Sequence, residues 1–254
     1  MIVLKSEDEV RIMRRAGRVV AELLQRLGER VAPGVTTGEL DRYAEDFFRR
    51  RGATPAFKGY HGFPASICTS VNEQVVHGIP GPRTLKEGEI VSIDVGAIVD
   101  GFYGDAAATF AVGQIRPLVR QLLEATRQAL DRGIAQAREG NRLSDISHAI
   151  QAWVEDRGLS VVREYVGHGI GRAMHEAPAV PNYGPPGRGP RLKAGMVLAI
   201  EPMVNIGRPE VQTLDDRWTV VTADGEWSAH FEHTVAVTPE GPLILTALEE
   251  VAAG

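Results

Sequence analysis

Residues 89–112 read EIVSIDVGAIVDGFYGDAAATFAV. The run from Glu89 to Val99 is apolar and β-branched, and the run from Phe102 to Val112 returns in the same style. Asp100-Gly101 between them is a strong two-residue hairpin signal. With that turn as centre, Val99 opposes Phe102, Asp94 opposes Ala107 and Asp105 opposes Gly96. Asp94 and Asp105 then share one face as diagonal neighbours, about 7–8 Å apart at the backbone. Asp94 sits inside Ile90-Val91-Ser92-Ile93-Asp94-Val95, a stretch that reads as buried. A buried carboxylate needs a partner, a proton or a metal. No Lys or Arg lies between Glu87 and Gly113, so these strands carry no cation of their own. The two aspartates are either solvated on an edge strand or joined in a divalent metal site, and the missing cation favours the second.

On either side of the hairpin the pattern is helical. Ser6-Glu7-Asp8-Glu9 has the form of a capping box. Val10, Met13, Val20, Leu23, Leu24, Leu27 and Val31 follow near helical spacing, until Pro33-Gly34. Thr36-Thr37-Gly38-Glu39 opens a second helix that runs to Arg51 and stops at Gly52. After the hairpin, Pro117–Gly140 and Ser144–Gly158 read as helices. Val161–Gly171 reads as a strand entering a glycine-rich turn, and Pro178–Pro190 as a loop. Strands dominate from Gly195 to Thr246, with a second Asp-Gly turn at Asp224-Gly225. The order is thus two helices and a hairpin, twice over. It predicts an α+β fold of two similar halves, without the regular alternation of a doubly wound sheet.

The second half repeats the acid-in-apolar-strand pattern. Glu201 lies in Val197-Leu198-Ala199-Ile200-Glu201-Pro202-Met203, and Glu232 in Ala229-His230-Phe231-Glu232-His233-Thr234-Val235. Either one alone reads as a sheet-edge residue; four such acids, two per half, suggest a shared task. His168, in Gly167-His168-Gly169-Ile170-Gly171, is an imidazole in backbone free to approach a ligand closely. His175 and His77 also lie beside glycine- or proline-containing turns. Carboxylates with one imidazole suit Mn, Fe(II), Co or Zn, and two divalent cations would neutralise four acids.

Composition bounds the rest. The 254 residues carry a net charge of −5, with 43% hydrophobic and 24% charged residues. That is an ordinary globular balance and excludes a broadly basic nucleic-acid-binding surface. The lone cysteine, Cys68, excludes an internal disulfide framework and Cys-based zinc modules. Neither a membrane span nor a secretory leader is evident, so a cytoplasmic setting is expected.

Together the motifs Gly59-Tyr60-His61-Gly62-Phe63-Pro64, Ser70-Val71-Asn72-Glu73, His77-Gly78-Ile79-Pro80, Ile93-Asp94-Val95, Gly104-Asp105, Gly167–Gly171, Ile200-Glu201-Pro202-Met203 and Phe231-Glu232-His233-Thr234 closely resemble type I methionine aminopeptidases over essentially the whole chain. The resemblance implies a pita-bread fold, with two pseudo-symmetric helix/β halves around a central dinuclear metal site, and residues 1–254 as one catalytic domain. It implies Asp94, Asp105, His168, Glu201 and Glu232 as metal ligands. In that scheme Asp105 and Glu232 bridge two divalent ions (Co, Mn, Fe(II) or Zn), Asp94 holds one, and His168 and Glu201 hold the other. Glu201 would also shuttle the proton of the attacking water, His175 would stabilise the oxyanion, and His77 would contact the substrate amide. Tyr60, Phe63, Cys68, Met174 and Trp218 would line a methionine pocket. The implied activity is removal of the initiator methionine from nascent chains whose second residue is small. The implied protein is a monomer, near the ribosome, without membrane or sequence-specific nucleic-acid partners. An Xaa-Pro aminopeptidase or prolidase, or a non-catalytic binding protein, are the alternatives on the same fold. The chain departs from the family pattern at Phe63 for Tyr, at Ala106 for Thr, and at His230 for the frequent Gln.

Overall fold

The computed structural model describes residues 1–248; residues 249–254 of the expected catalytic domain lie outside the described residues. Two helices come first, α1 (Glu7–Gly28) and α2 (Thr37–Arg51). Both begin at the capping boxes read from sequence. Ser6 Oγ accepts the Glu9 N–H at 3.3 Å while Glu9 returns a bond to the Ser6 N–H at 3.1 Å, and Thr36 and Glu39 repeat the exchange. Each pair satisfies donors that a helix start leaves open. Gly52, at φ 62°, caps the end of α2 in the left-handed region.

Short strands β1 (Thr54–Pro55), β2 (Cys68–Val71) and β3 (Gln74–Val76) lead into the long hairpin of β4 (Ile90–Val99) and β5 (Phe102–Ala111). Its register is the one read from sequence, with Asp94 opposite Ala107 and Gly96 opposite Asp105. Asp100 and Gly101 both have positive φ, 48° and 76°, as the twist-matched two-residue turn requires. β2 pairs with the other edge of β4 and sets Cys68 beside Asp94.

The second half has α3 (Pro117–Ala135) and α4 (Leu143–Glu155), both shorter than the apolar pattern predicts. The strands that follow are β6 (Ser160–Val161), β7 (Gly167–Gly169), β8 (Glu176–Val180), β9 (Val197–Ile200), β10 (Met203–Asn205), β11 (Val211–Thr213), β12 (Val220–Thr222), β13 (Ser228–His230), β14 (His233–Thr238) and β15 (Gly241–Ile244). Three expectations need correction here. The strand predicted over Val161–Gly171 is two short strands, because β6 pairs with β10 and β7 with β8 and β9. The loop predicted from Pro178 begins inside β8. Asp224-Gly225 is a turn, yet the strands it joins enter different sheets: β12 lies between β11 and β3, while β13 pairs with β10. β14 and β15 do form a hairpin in this half.

Each half has its own core. Leu23, Leu27, Leu40 and Phe48 of α1 and α2 pack on Ile93 and Val95. Leu122, Ile134, Ile146 and Ile150 of α3 and α4 pack on Leu198, Ile200 and Val235. A third cluster containing Met13, Phe63, Cys68, Met174 and Leu245 draws on both halves. α1 joins them closely: a Cβ at Gly17 would collide with the Leu245 carbonyl.

Polar seams complete the junction. Thr234 Oγ1 donates to the Asp105 carbonyl at 2.8 Å and accepts the Asp105 N–H at 3.0 Å. Thr109 Oγ1 makes the same reciprocal pair with the His230 backbone, both bonds at 2.9 Å. The Glu232 N–H donates to Ala107 at 2.9 Å. These bonds fasten the β13–β14 corner to β5 and set Glu232 beside Asp105.

A carboxylate-rich cavity between the halves

A cavity of about 330 Å³ opens at this junction. All twelve residues singled out in the sequence line it: Tyr60, Phe63, Cys68, His77, Asp94, Asp105, His168, Met174, His175, Glu201, Trp218 and Glu232. Asp94 and Asp105 come from the shared face of β4 and β5, Glu201 from the end of β9, and Glu232 from the corner between β13 and β14. His168 comes from the middle of β7. A side chain at either flanking glycine would collide with the backbone, Gly167 with Ala199 and Gly169 with Ala177, so only glycine lets the strand pass there.

The acids are crowded and dry. Asp105 is 3% exposed and Glu232 2%. Burial pushes both well above the usual carboxylate range, with the charges of Asp94 and Glu201 adding at Asp105 and those of Asp105, Glu201 and Asp94 adding at Glu232. Burial also raises Glu201, and Asp94 rises through burial with Glu201 adding and His230 opposing. Asp94 Oδ1, Asp105 Oδ1, Glu232 Oε1 and His230 Nε2 are buried without hydrogen-bond partners. Among the described residues no Lys or Arg lines the cavity. Orphaned buried carboxylate oxygens around a common point fit divalent cations and little else. One atom each of Asp105, His168 and Glu232 lie within 4.8 Å of one another, as do Glu201, His230 and Glu232.

His168 is prepared for such a role. Its Nδ1 bonds the Gly169 carbonyl at 2.9 Å. A carbonyl only accepts, so the ring proton sits on Nδ1 and Nε2 turns a lone pair to the cavity. That Nε2 lies 3.5 Å from Glu201 Oε1. Asn182 Nδ2 donates to the Glu201 carbonyl at 3.0 Å and pins the end of β9.

The other histidines stand around the acids. His175 packs on His168 with ring centroids 4.2 Å apart, and its Nδ1 meets Tyr60 Oη at 2.8 Å. His77 sits at φ 60° with its ring edge-on to Tyr165 and Trp218, and burial brings it down to about 4. Phe63 and Trp218 pack edge to face, centroids 5.1 Å apart. Beside them Cys68 is buried, and burial pushes its thiol well up, so it is a neutral, soft wall.

Tyr165 and His61 also line the cavity, and neither stands out as a functional residue in the sequence. His230 stands out there only as a departure from a pattern. The signal was present: His230 and Glu232 are two apart in an extended run, a spacing that puts side chains on one side.

The arrangement is that of a metal-dependent hydrolase: a clustered ligand set, neutral histidines at its rim and an apolar recess. Comparison with known proteins agrees. The model of Metallopeptidase family M24 matches residues 11–239. The chain is 59% identical over 249 residues to a methionine aminopeptidase of Clostridium perfringens, covering 98% of this chain and 100% of that one. The crystal structure of methionine aminopeptidase from Thermotoga maritima superposes with a TM-score of 0.96 at 46% identity, covering 97% of this chain and all of the other. A prolidase from Pyrococcus horikoshii shares the fold alone, at 22% identity and TM-score 0.80, with 98% of this chain matched to 65% of that one. The chain therefore belongs to metallopeptidase family M24, and within it to the pita-bread methionine aminopeptidases.

Proposed function

We propose that the chain removes the N-terminal methionine from nascent polypeptides whose second residue is small. The observation that carries this reading is one cavity holding both an orphaned acid cluster and a recess walled by Tyr60, Phe63, Cys68, Met174 and Trp218. An unbranched thioether suits such soft and aromatic walls.

Asp94, Asp105, His168, Glu201 and Glu232 would hold two divalent ions drawn from Mn, Fe(II), Co and Zn. When bound, the ions supply a water of lowered pKa and polarise the scissile carbonyl. The rest falls to the protein. Burial raises Glu201 to about 7 without metal; beside bound ions it would be the carboxylate, which would take a proton from the attacking water and pass it to the leaving amine. Burial likewise raises Tyr60, so its hydroxyl keeps its proton and can donate to His175 Nδ1. In that tautomer the proton of His175 sits on Nε2, where it would donate to the oxyanion. His77, neutral from burial, would bond the substrate amide. The aromatic walls exclude water and orient the methionine. The chain acts as a single catalytic domain over 1–254, as a monomer in the cytoplasm, near the ribosome where nascent chains emerge. No described helix is long and apolar enough to cross a membrane.

The ligand assignment is tested by stripping the protein with chelator, titrating back Co(II) and counting bound ions in wild type and Asp105→Asn. The reading predicts two ions in wild type, with reduced uptake and lost turnover in the variant. A variant with full metal content and full activity would overturn it.

A further inference from the structure

Position 230 is a histidine, where the family resemblance leads one to expect glutamine. The ring is deeply buried, at 2% exposure. Its backbone is fixed on both sides: the N–H donates to Thr109 Oγ1 and the carbonyl accepts from the same hydroxyl, both at 2.9 Å. Its pairing with Met203 in β10 holds the same residue from the other edge. So the residue is anchored by its backbone along both edges. Its Nε2 has no hydrogen-bond partner. Buried ring nitrogens are seldom left so.

Nε2 faces Glu201. The separation from Oε2 is 3.6 Å, beyond hydrogen-bond length. The other oxygen of the same carboxylate stands 3.5 Å from His168 Nε2. Two donors bound to one cation at about 2.0–2.2 Å and near-tetrahedral angles are separated by roughly 3.5 Å. Both imidazoles therefore keep the spacing from Glu201 that a shared cation sets, and neither keeps that of a hydrogen bond. Glu232 completes the second group, since its oxygen, Glu201's and His230 Nε2 lie within 4.8 Å of one another.

We propose that His230 is a sixth ligand of this metal centre, placing Nε2 on the cation held by Glu201 and Glu232. The inference rests on the metal-centre reading above and goes beyond its five-ligand scheme. Its consequence is metal choice. An imidazole nitrogen is a softer donor than an amide oxygen or a water, so it favours Zn, Co and Fe(II) over Mn.

The experiment uses the full chain labelled with ¹⁵N-histidine. Long-range ¹H–¹⁵N spectra are recorded on the chelator-stripped protein and after Zn(II) is added to saturation, with bound zinc counted in the same sample. Competition titrations give the Zn/Mn affinity ratio for wild type and His230→Gln. The proposal expects two histidine Nε2 signals to move on zinc binding, one of them missing from His230→Gln. It also expects the Zn/Mn ratio to fall by roughly ten- to a hundredfold in the variant, the scale seen when a partner of a metal site is changed. If zinc binds and only one ring nitrogen moves, His230 is not a ligand and the five-ligand centre stands. If no zinc binds, the metal-centre reading falls and this inference falls with it. The wild-type spectra decide the question even if the variant fails to fold.

Discussion

His175 Nδ1 and Tyr60 Oη are 2.8 Å apart. With the hydroxyl as donor, the proposed role of His175 as an oxyanion donor falls to Nε2. His175→Ala should lower kcat by roughly 10²–10³ while leaving metal content unchanged. Steady-state kinetics with a metal assay on the same sample checks both halves, and an unchanged kcat would remove His175 from the reaction. Cys68 is a contrasting case. It lies beside Asp94 in the strand ladder, but as a buried, neutral wall. Cys68→Ser should retain turnover with a weaker KM, and complete loss would contradict the role. The acids were legible as a set, because four carboxylates in apolar runs announce a cost that Glu201 or Glu232 alone does not. The Tyr60–His175 bond was not legible: it joins residues 115 positions apart, and no local pattern encodes it.

Hairpins and caps are where sequence chemistry maps most directly onto elements. The Asp100-Gly101 turn fixed the register of β4 and β5, and with it the common face of Asp94 and Asp105. Asp224-Gly225 carries the same dipeptide and joins strands of two different sheets. A turn dipeptide sets the local bend, while pairing depends on what the flanking strands find, and β12 finds β3 and β11. The seam between the halves was equally hidden, since a threonine's reciprocal bond to a distant backbone leaves no periodic trace. Thr234→Val keeps the shape and leaves the Asp105 N–H and carbonyl without their partner. The expected cost is about 1–3 kcal/mol, read by urea denaturation of the metal-free protein, with weaker metal uptake because Asp105 loses its anchor. Leu23→Ala, in the fully buried face of α1, should cost about 2–5 kcal/mol in the same denaturation. Metal uptake by its folded fraction should be unaffected.

Across the whole molecule, opposed charge effects meet in the cavity. Asp94, Asp105, Glu201 and Glu232 are raised, so the native state holds protons the unfolded chain has already lost. Stability from this source is present at low pH and falls as pH rises through the folded-state values. His77, His168, His175 and His230 are lowered by burial, so their contribution rises with pH until the unfolded imidazoles are neutral, near 6.5. Below that point the two partly cancel. Above the imidazole range only the acids remain, and Glu201, raised to about 7, is still losing its proton, with Asp105 and Glu232 raised in the same direction. The metal-free protein should therefore lose thermal stability over the window that opens near pH 7. Bound divalent ions should abolish that fall, because they bind the charged carboxylates of the native state. Scanning calorimetry with and without metal tests this, and a metal-free Tm that rises over that window would contradict the buried-acid account. The two-half architecture itself was legible from the doubled order of helices and hairpins. How the halves meet was not, because the junction is made of contacts between residues far apart in sequence.

The central claim joins metal, methionine recess and small second residue in one site. It is tested most directly by offering Met-Ala-Ser, Met-Leu-Ser and Ala-Pro-Ser together to protein stripped with chelator and then reloaded with Mn or Co, with products followed by mass spectrometry. Methionine should leave Met-Ala-Ser alone, and only after a metal is restored. Cleavage of Ala-Pro-Ser in its place, or methionine release undiminished in the stripped protein, would contradict the account.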